Sequence, residues 1–511
     1  MRQRFAAILP HLPALAGLLL GAAIWGGLSI GVPEWSWRHR PQLVVAPWRA
    51  LLPAIVLLAV ALLFARAAQS GRRLALALIL LLLACWFLQL GLAATATDLA
   101  VSSDPVIYSL GVIASPVATT YFSLAIGEGD VGRLLREYPR AMPRLPLHAR
   151  THPPGPVIFF HSASWLVQRL PLLRRALETA LAALTGFSSD QVARHLDRAF
   201  ARYAGLFHEY RPDFGLRYDS ARVLAALLSG CLLALCGSLS LLPIWALARL
   251  RYGDQVGWWA AVLFALVPSL SLFAVAIDQL LLLFSALSLY LAYAGWRRGP
   301  PLLAAAAGVA FIGALLVSFA ALALIPLLLI WAALGLLRSA PGERRAARLL
   351  PLLGFALAGA AAAAGAFLLL TGCNLLTLIA AGLSAHRGAL AYPRSYWVWA
   401  LFDPVEFAAF LGLPLALWVL VSLFSGSTQV RTGDSLLLAW LITFLGLDLC
   451  GLVRGEVGRI WLFLMFPPAI GAADLLCRKV RLPAAGFLLL LAALFFQTYQ
   501  MKANLGLFSL F

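Results

Sequence analysis

A carboxylate held near lipid can take a proton from a hydroxyl, and an arginine can grip the phosphate that departs when a phosphate-linked group is transferred. Four stretches of this 511-residue chain offer such groups on an otherwise apolar background. The first is His152-Pro153-Pro154-Gly155-Pro156. Its paired prolines force an extended entry into the helix that follows. His152, just before them, either binds a substrate or caps a carbonyl in a plain helix-entry turn. The second is Asp278, in Ala276-Ile277-Asp278-Gln279-Leu280 between two apolar runs. An unpaired acid is costly there, so it serves as a helix N-cap, as a functional carboxylate, or as both. The third is the segment 371–404, with His386, Arg387, Arg394, Tyr396, Trp397, Trp399 and Asp403. Such aromatics form an anchoring belt at a lipid boundary, and arginines among them suit a phosphate headgroup approached from the bilayer. The fourth is Arg454-Gly455-Glu456-Val457-Gly458-Arg459, whose three charges make either a surface ion pair or a phosphate grip. Asp448, in the apolar run before it, is placed to pair with one of these arginines.

The elements that must position these groups are apolar helices. The chain is 62% hydrophobic and only 12% charged, which excludes a water-soluble globule. Apolar runs repeatedly approach the ~20 residues that cross ~30 Å of hydrocarbon. The fold class expected is an all-α polytopic membrane protein forming a single membrane domain over 1–511. About 13 spans are expected, near 12–31, 48–65, 74–95, 221–248, 256–275, 279–296, 301–316, 319–337, 350–370, 405–424, 435–453, 458–476 and 483–500. The pair 301–316 and 319–337 can also be read as one kinked helix. The first run is too long, and lacks the small-residue cleavage site, for a signal peptide. Ten-residue alternating strands of an outer-membrane barrel are absent.

Charge orients the chain. With the N-terminus cytoplasmic, the inner segments carry 17 basic residues, from Arg2 and Arg4 through Arg72, Arg73, Arg249 and Arg297 to Arg481, against Asp254, Glu343 and Asp434. This satisfies the positive-inside rule, with Arg38 and Arg40 as exceptions. The net charge of +18 is then explained by cytoplasmic loops and anionic headgroups rather than by nucleic acid. Residues 96–220 fall outside as one large extracytoplasmic loop holding 13 Arg and 11 of the 21 acids. Its two moderately apolar stretches, 106–126 and 156–170, are expected to lie on the membrane as interfacial helices. The six cysteines show no zinc spacing, and the outer loop has none. No metal site and no cofactor is indicated, and no phosphate-cradling Gly-rich loop with its lysine appears.

Three motifs occur in a telling order: Pro153-Pro154, then Ser220-Ala221-Arg222-Val223-Leu224, then Asp278-Gln279-Leu280-Leu281-Leu282-Leu283-Phe284. In this the region 74–300 resembles the GT-C class of integral-membrane glycosyltransferases, in the branch of protein O-mannosyltransferases and lipid A aminoarabinose transferases. The resemblance implies an inverting transferase in a bacterial plasma membrane. Its donor would be a polyprenyl-phosphate sugar, and its acceptor a glycan, lipid or protein on the extracytoplasmic face. The family's catalytic aspartate lies four residues before a tyrosine. Aligned on Tyr121 that place is Val117, so among the nearby acids Asp98, Asp104, Glu128 and Asp130 the resemblance points to Asp104, which precedes Tyr108, and next to Asp130. His152, Asp278, His386, Arg387, Arg394, Tyr396, Arg454, Glu456 and Arg459 would bind substrate, with His152 sharing one cavity with Arg454, Glu456 and Arg459. A transporter or flippase of lipid-linked sugars is the alternative, although it should show midplane charges and repeat symmetry. A catalytically inert relative that binds a glycolipid is another.

Overall fold

The computed structural model describes the chain except residues 1–8, 66–72, 100–101, 116–119, 128–129, 146, 202–216, 338–344, 390–393, 425–435 and 508–511. Arg2, Arg4, Arg72, Glu128, Glu343 and Asp434 therefore lie outside the described residues. The described chain is helical, apart from two small two-stranded sheets. In one, Ile30–Val32 pairs antiparallel with Trp35–Trp37. In the other, Leu43–Val44 pairs with Ala96–Thr97.

Among the described residues, six helices are long and apolar enough to cross a membrane: Leu74–Ala93, Ser220–Tyr252, Asp278–Arg298, Phe319–Leu337, Leu349–Thr371 and Ala484–Asn504. Tyr396–Leu411 and Leu413–Phe424, bent by 115°, make a seventh if they are one broken span. The expected count of about 13 is thus too high. Several apolar runs form helices that are too short, because turn-forming or helix-breaking residues cut them. Leu12–Trp25 has 14 residues, about 21 Å of helix at 1.5 Å per residue, short of the ~30 Å of hydrocarbon. Trp48–Leu63, Pro301–Val317 and Leu436–Cys450 are similarly short. The run 256–275 divides at Pro268 into Asp254–Ala265 and Pro268–Leu272. The run 458–476 divides into Val457–Ile460, a 3₁₀ turn at Leu462–Leu464 and Phe466–Asp474. The pair near 301–337 is two helices. Ser318 is extended between them and caps Ala320 through its side chain.

Within 96–220, neither moderately apolar stretch makes a helix of spanning length. Pro105–Ala114 has 10 residues and Gly155–Arg169 has 15. Val131–Ala141 is amphipathic and buries Val131, Leu134, Leu135 and Tyr138. Large apolar side chains remain exposed on the long helices, for instance Leu350, Leu357, Leu369 and Leu370 on Arg345–Thr371. Such a surface suits hydrocarbon and not water.

Helix packing sets the site. Asp278–Arg298 packs on Pro301–Val317, which packs on Arg345–Thr371. At the second crossing a Cβ on Gly308 would lie 1.9 Å from the Ala356 carbonyl oxygen, and one on Gly359 would lie 2.0 Å from that of Ala305. Only glycine permits backbones this close. Buried amides tie helices together. Gln89 Nε2 donates to the Ala234 carbonyl at 3.1 Å and to Ser238 Oγ at 2.9 Å.

Candidate functional site

The site is built around the turn at Gly455 and Glu456 and the short helix Val457–Ile460 that it leads into. Asp403 and Glu406, one turn apart on Tyr396–Leu411, are both almost fully buried. Residues three apart share a helix face, and these two fasten this segment from below. Gly455 N–H donates to Asp403 Oδ1 at 2.9 Å, and Gly458 N–H donates to Glu406 Oε1 at 2.9 Å. Trp37 Nε1, from the first hairpin, donates to the same Glu406 oxygen at 3.0 Å. Between the two anchors Glu456 takes a left-handed backbone with φ of 61°. A residue with a side chain adopts this conformation at a cost of about 1 kcal/mol or more, and it persists only where the surroundings enforce it.

Two arginines meet the Glu456 side chain. Arg459 donates to Glu456 Oε2 at 3.1 Å, and Arg394 lies 3.5 Å from Glu456 Oε1. Arg394 is held in place by its surroundings. Its guanidinium lies over the rings of Trp35 and Trp399, at 5.2 and 5.5 Å from their centroids, and it donates to the Arg454 carbonyl. Glu34 braces this wall by accepting from Ser395 N–H at 2.7 Å and from Trp399 Nε1 at 3.1 Å. The bonds from Ser395 hold its carboxyl below the usual carboxylate range. Arg459 is different: its Nε is buried with no hydrogen-bond partner among the described residues. Leaving such a donor unmade is expensive.

Three further elements bring side chains to Arg459. Tyr121–Gly127 packs on Gly155–Arg169, Leu147–Thr151 packs on Leu375–Ala389, and Asp278–Arg298 packs on Leu462–Leu464. Tyr121 and His152 consequently stand ring to ring at 5.6 Å, and Tyr121 and His148 at 6.4 Å. Arg459 is close enough to act electrostatically on Tyr121, His148, His152 and Asp278. His152 Nδ1 lies 2.9 Å from the His148 carbonyl oxygen. A carbonyl only accepts, so Nδ1 carries the proton and Nε2 keeps its lone pair. Burial, helped by the positive charge of Arg459, pushes His148 down to about 4. Burial, together with His148 and Arg459, pushes His152 down to about 3. Both imidazoles are neutral at physiological pH. Burial lifts the Tyr121 phenol well above its ordinary value, so it too is neutral.

Of the residues singled out in the sequence, His152, Asp278, Arg394, Glu456 and Arg459 come together here. His386 joins at the edge: its Nε2 contacts the Leu452 carbonyl at 3.0 Å, and it lies near enough to His152 to interact with it. Arg454 and Tyr396 serve the scaffold. Arg454 donates to the carbonyls of Arg394 at 2.7 Å and Gly451 at 3.2 Å, and Tyr396 donates to that of Leu449 at 2.5 Å. Arg387 lies on Leu375–Ala389, and its side chain falls outside the described residues.

The two acids favoured as bases are helix caps. Asp104 Oδ1 accepts from Val106 N–H at 2.8 Å and Ile107 N–H at 3.0 Å. Asp130 Oδ1 accepts from Arg133 N–H at 2.8 Å. The acids that act on Arg459 are instead Glu456, Asp278 and Glu406. Asp98 forms an ion pair with Arg40 at 2.7 Å, which accounts for one of the two outer arginines that break the charge rule. The arginine expected for Asp448 is not found among the described residues, and its Oδ1 is buried without a hydrogen bond.

Sequence reading missed His148, Glu406, Glu34, Trp35 and the role of Tyr121. Two of these had a signal. His148 precedes His152 by four residues, and Glu406 follows Asp403 by three within an apolar run. Glu34 and Trp35 reach the site only through a hairpin that no local pattern ties to residue 399. Compared with known proteins, the chain matches no family model, and no curated relative is found.

Proposed function

We propose that this protein is a membrane glycosyltransferase that moves a sugar from a polyprenyl-phosphate carrier to an acceptor hydroxyl on the extracytoplasmic face. The observation that carries this reading is the buried, unpartnered Nε of Arg459 amid Asp278, Tyr121, His148 and His152. A guanidinium with a spare donor in a water-poor site is suited to a phosphate oxygen. As the acceptor oxygen bonds to the anomeric carbon, the bond from that carbon to the phosphate oxygen breaks. Its electron pair stays on the phosphate, where Arg459 and Arg394 offset the developing charge. The acceptor proton passes to a carboxylate.

For that carboxylate Asp278 is favoured over Asp104 and Asp130, because it belongs to the Arg459 group while the other two are occupied at helix starts. His152 Nε2 and the Tyr121 hydroxyl can orient the acceptor. Neither serves as the base. A histidine at about 3 is too weak a base, and a phenol held protonated has no lone pair of sufficient basicity.

The test is transfer of labelled sugar from a polyprenyl-phosphate donor in reconstituted membranes. Asp278→Asn is expected to lower transfer by about 10²–10⁴-fold, the usual worth of a general base. Asp104→Asn and Asp130→Asn keep a side chain that caps helices well, so they should stay within a few-fold of wild type. Loss in either of these with full activity in Asp278→Asn would move the base there. Full activity in all three would favour a transporter or an inert glycolipid binder.

A further inference from the structure

We propose that Glu456 discriminates between donor and spent carrier: its carboxylate, set between Arg394 and Arg459, weakens binding of the dianionic phosphate monoester product more than that of the monoanionic phosphodiester donor. The inference rests on the transferase reading above. It starts from the contacts on both oxygens of one carboxylate, Oε1 facing Arg394 at 3.5 Å and Oε2 bonded to Arg459 at 3.1 Å. A carboxylate bridging two guanidiniums occupies the place that a phosphate would take between them.

The surroundings hold Glu456 there. Asp403 and Glu406 clamp the flanking Gly455 and Gly458 amides, and the backbone between is left-handed at φ 61°. Trp35, Trp399 and the Arg454 carbonyl fix Arg394. Arg394 therefore cannot readily swing away, and a phosphate entering between the two arginines must share them with, or displace, the Glu456 carboxylate. The Nε of Arg459, not engaged by Glu456, is the donor left for it.

Charge then decides between ligands. A sugar phosphodiester carries one negative charge, whereas a phosphate monoester carries between about −1.5 and −2 at pH 7. The repulsion from a fixed carboxylate scales with the ligand's charge. Glu456 thus opposes the product up to twice as strongly, on a free-energy scale, as the donor. After transfer, the bond that breaks leaves its electrons on the phosphate, the carrier gains charge, and Glu456 helps to expel it.

The test compares wild type with Glu456→Gln, and with Glu456→Gly, which accepts the left-handed backbone without strain. Binding of a polyprenyl phosphate and of the same polyprenyl phosphate bearing a sugar is measured in detergent, together with inhibition of transfer by the former. Both variants are expected to bind the monoester more tightly, by about 10- to 100-fold, with a smaller gain, roughly its square root, for the diester. Inhibition by the monoester should strengthen in parallel. Equal gains for both lipids, or weaker binding of the monoester, would overturn the inference and leave the transferase reading standing. Failure of the wild-type protein to bind either lipid would overturn both.

Discussion

The Nδ1–H of His152 is committed to the His148 carbonyl, so only Nε2 can face a ligand. Burial and the Arg459 charge hold His148 at about 4 and His152 at about 3, against 6.5 for an ordinary histidine. In the unfolded chain both recover the ordinary value and bind protons first as pH falls. The stability contributed by keeping them neutral is therefore complete above about pH 6.5. It is lost progressively as pH drops from 6.5 towards 3–4. Thermal unfolding in detergent between pH 7 and pH 5 should show a falling midpoint. His148→Asn combined with His152→Gln should flatten that fall, and an unchanged slope in the double variant would show that these imidazoles are not the source. Transfer itself should show no inflection near 6.5 arising from them. Little of this was legible in the sequence. His152 was visible beside its prolines, but its tautomer depends on a carbonyl four residues back, and its neutrality depends first on burial and then on His148 and an arginine some three hundred residues away.

The segment Pro153-Pro154-Gly155 shows how an element's start carries more than its own geometry. The prolines were readable as a helix entry, and Gly155–Arg169 does begin there, but the entry is not extended throughout, because Pro154 is already helical at φ −76° and ψ −3°. The glycine was not readable, because its reason is tertiary. A Cβ at Gly155 would lie 2.1 Å from the Leu316 carbonyl oxygen and 2.7 Å from its carbon. Leu316 lies at the end of Pro301–Val317, so this contact sets the distance between that helix and the one whose entry carries His152. Gly155→Ala should destabilise by about 1–3 kcal/mol, the usual cost of forcing extra volume into packed structure, since a backbone cannot yield as a flexible side chain can. Gly354→Ala is the matched control. Gly354 sits inside Arg345–Thr371 with nothing near its missing Cβ. There alanine should be neutral or stabilise by up to about 1 kcal/mol, following helix propensity. Equal effects at the two sites, read from unfolding midpoints in detergent, would count against the close approach at Leu316. The same contrast explains the excess of expected spans. Apolar composition identified the helices, but Pro268 and Gly412 cut the runs 256–275 and 405–424, which hydropathy alone treats as continuous.

Across the whole molecule, the strongest geometric statement about sidedness comes from the helix Asp278–Arg298. Its 21 residues extend about 30 Å at 1.5 Å per residue, which matches the hydrocarbon thickness. Asp278 at one end belongs to the Arg459 group, while Arg297 and Arg298 close the other end. The site and this pair of arginines must therefore lie at opposite faces if the helix spans. On the proposed orientation, drawn from the charge bias in the sequence, the arginine end faces the cytoplasm, and the site would then lie outside, together with residues 96–220. Single-cysteine labelling checks this. Cys450 is exposed and must first be replaced. Glu178→Cys gives up only an exposed ion pair with Arg174, of the kind worth about 0–1 kcal/mol, so it should not disturb the fold. A membrane-impermeant maleimide applied from the periplasmic side should label Glu178→Cys readily and Arg298→Cys only after permeabilisation. Equal labelling of the two would break the proposed topology. Labelling of Arg298→Cys alone would invert it, and would place the Arg459 group where a carrier lipid of the outer leaflet could not reach it.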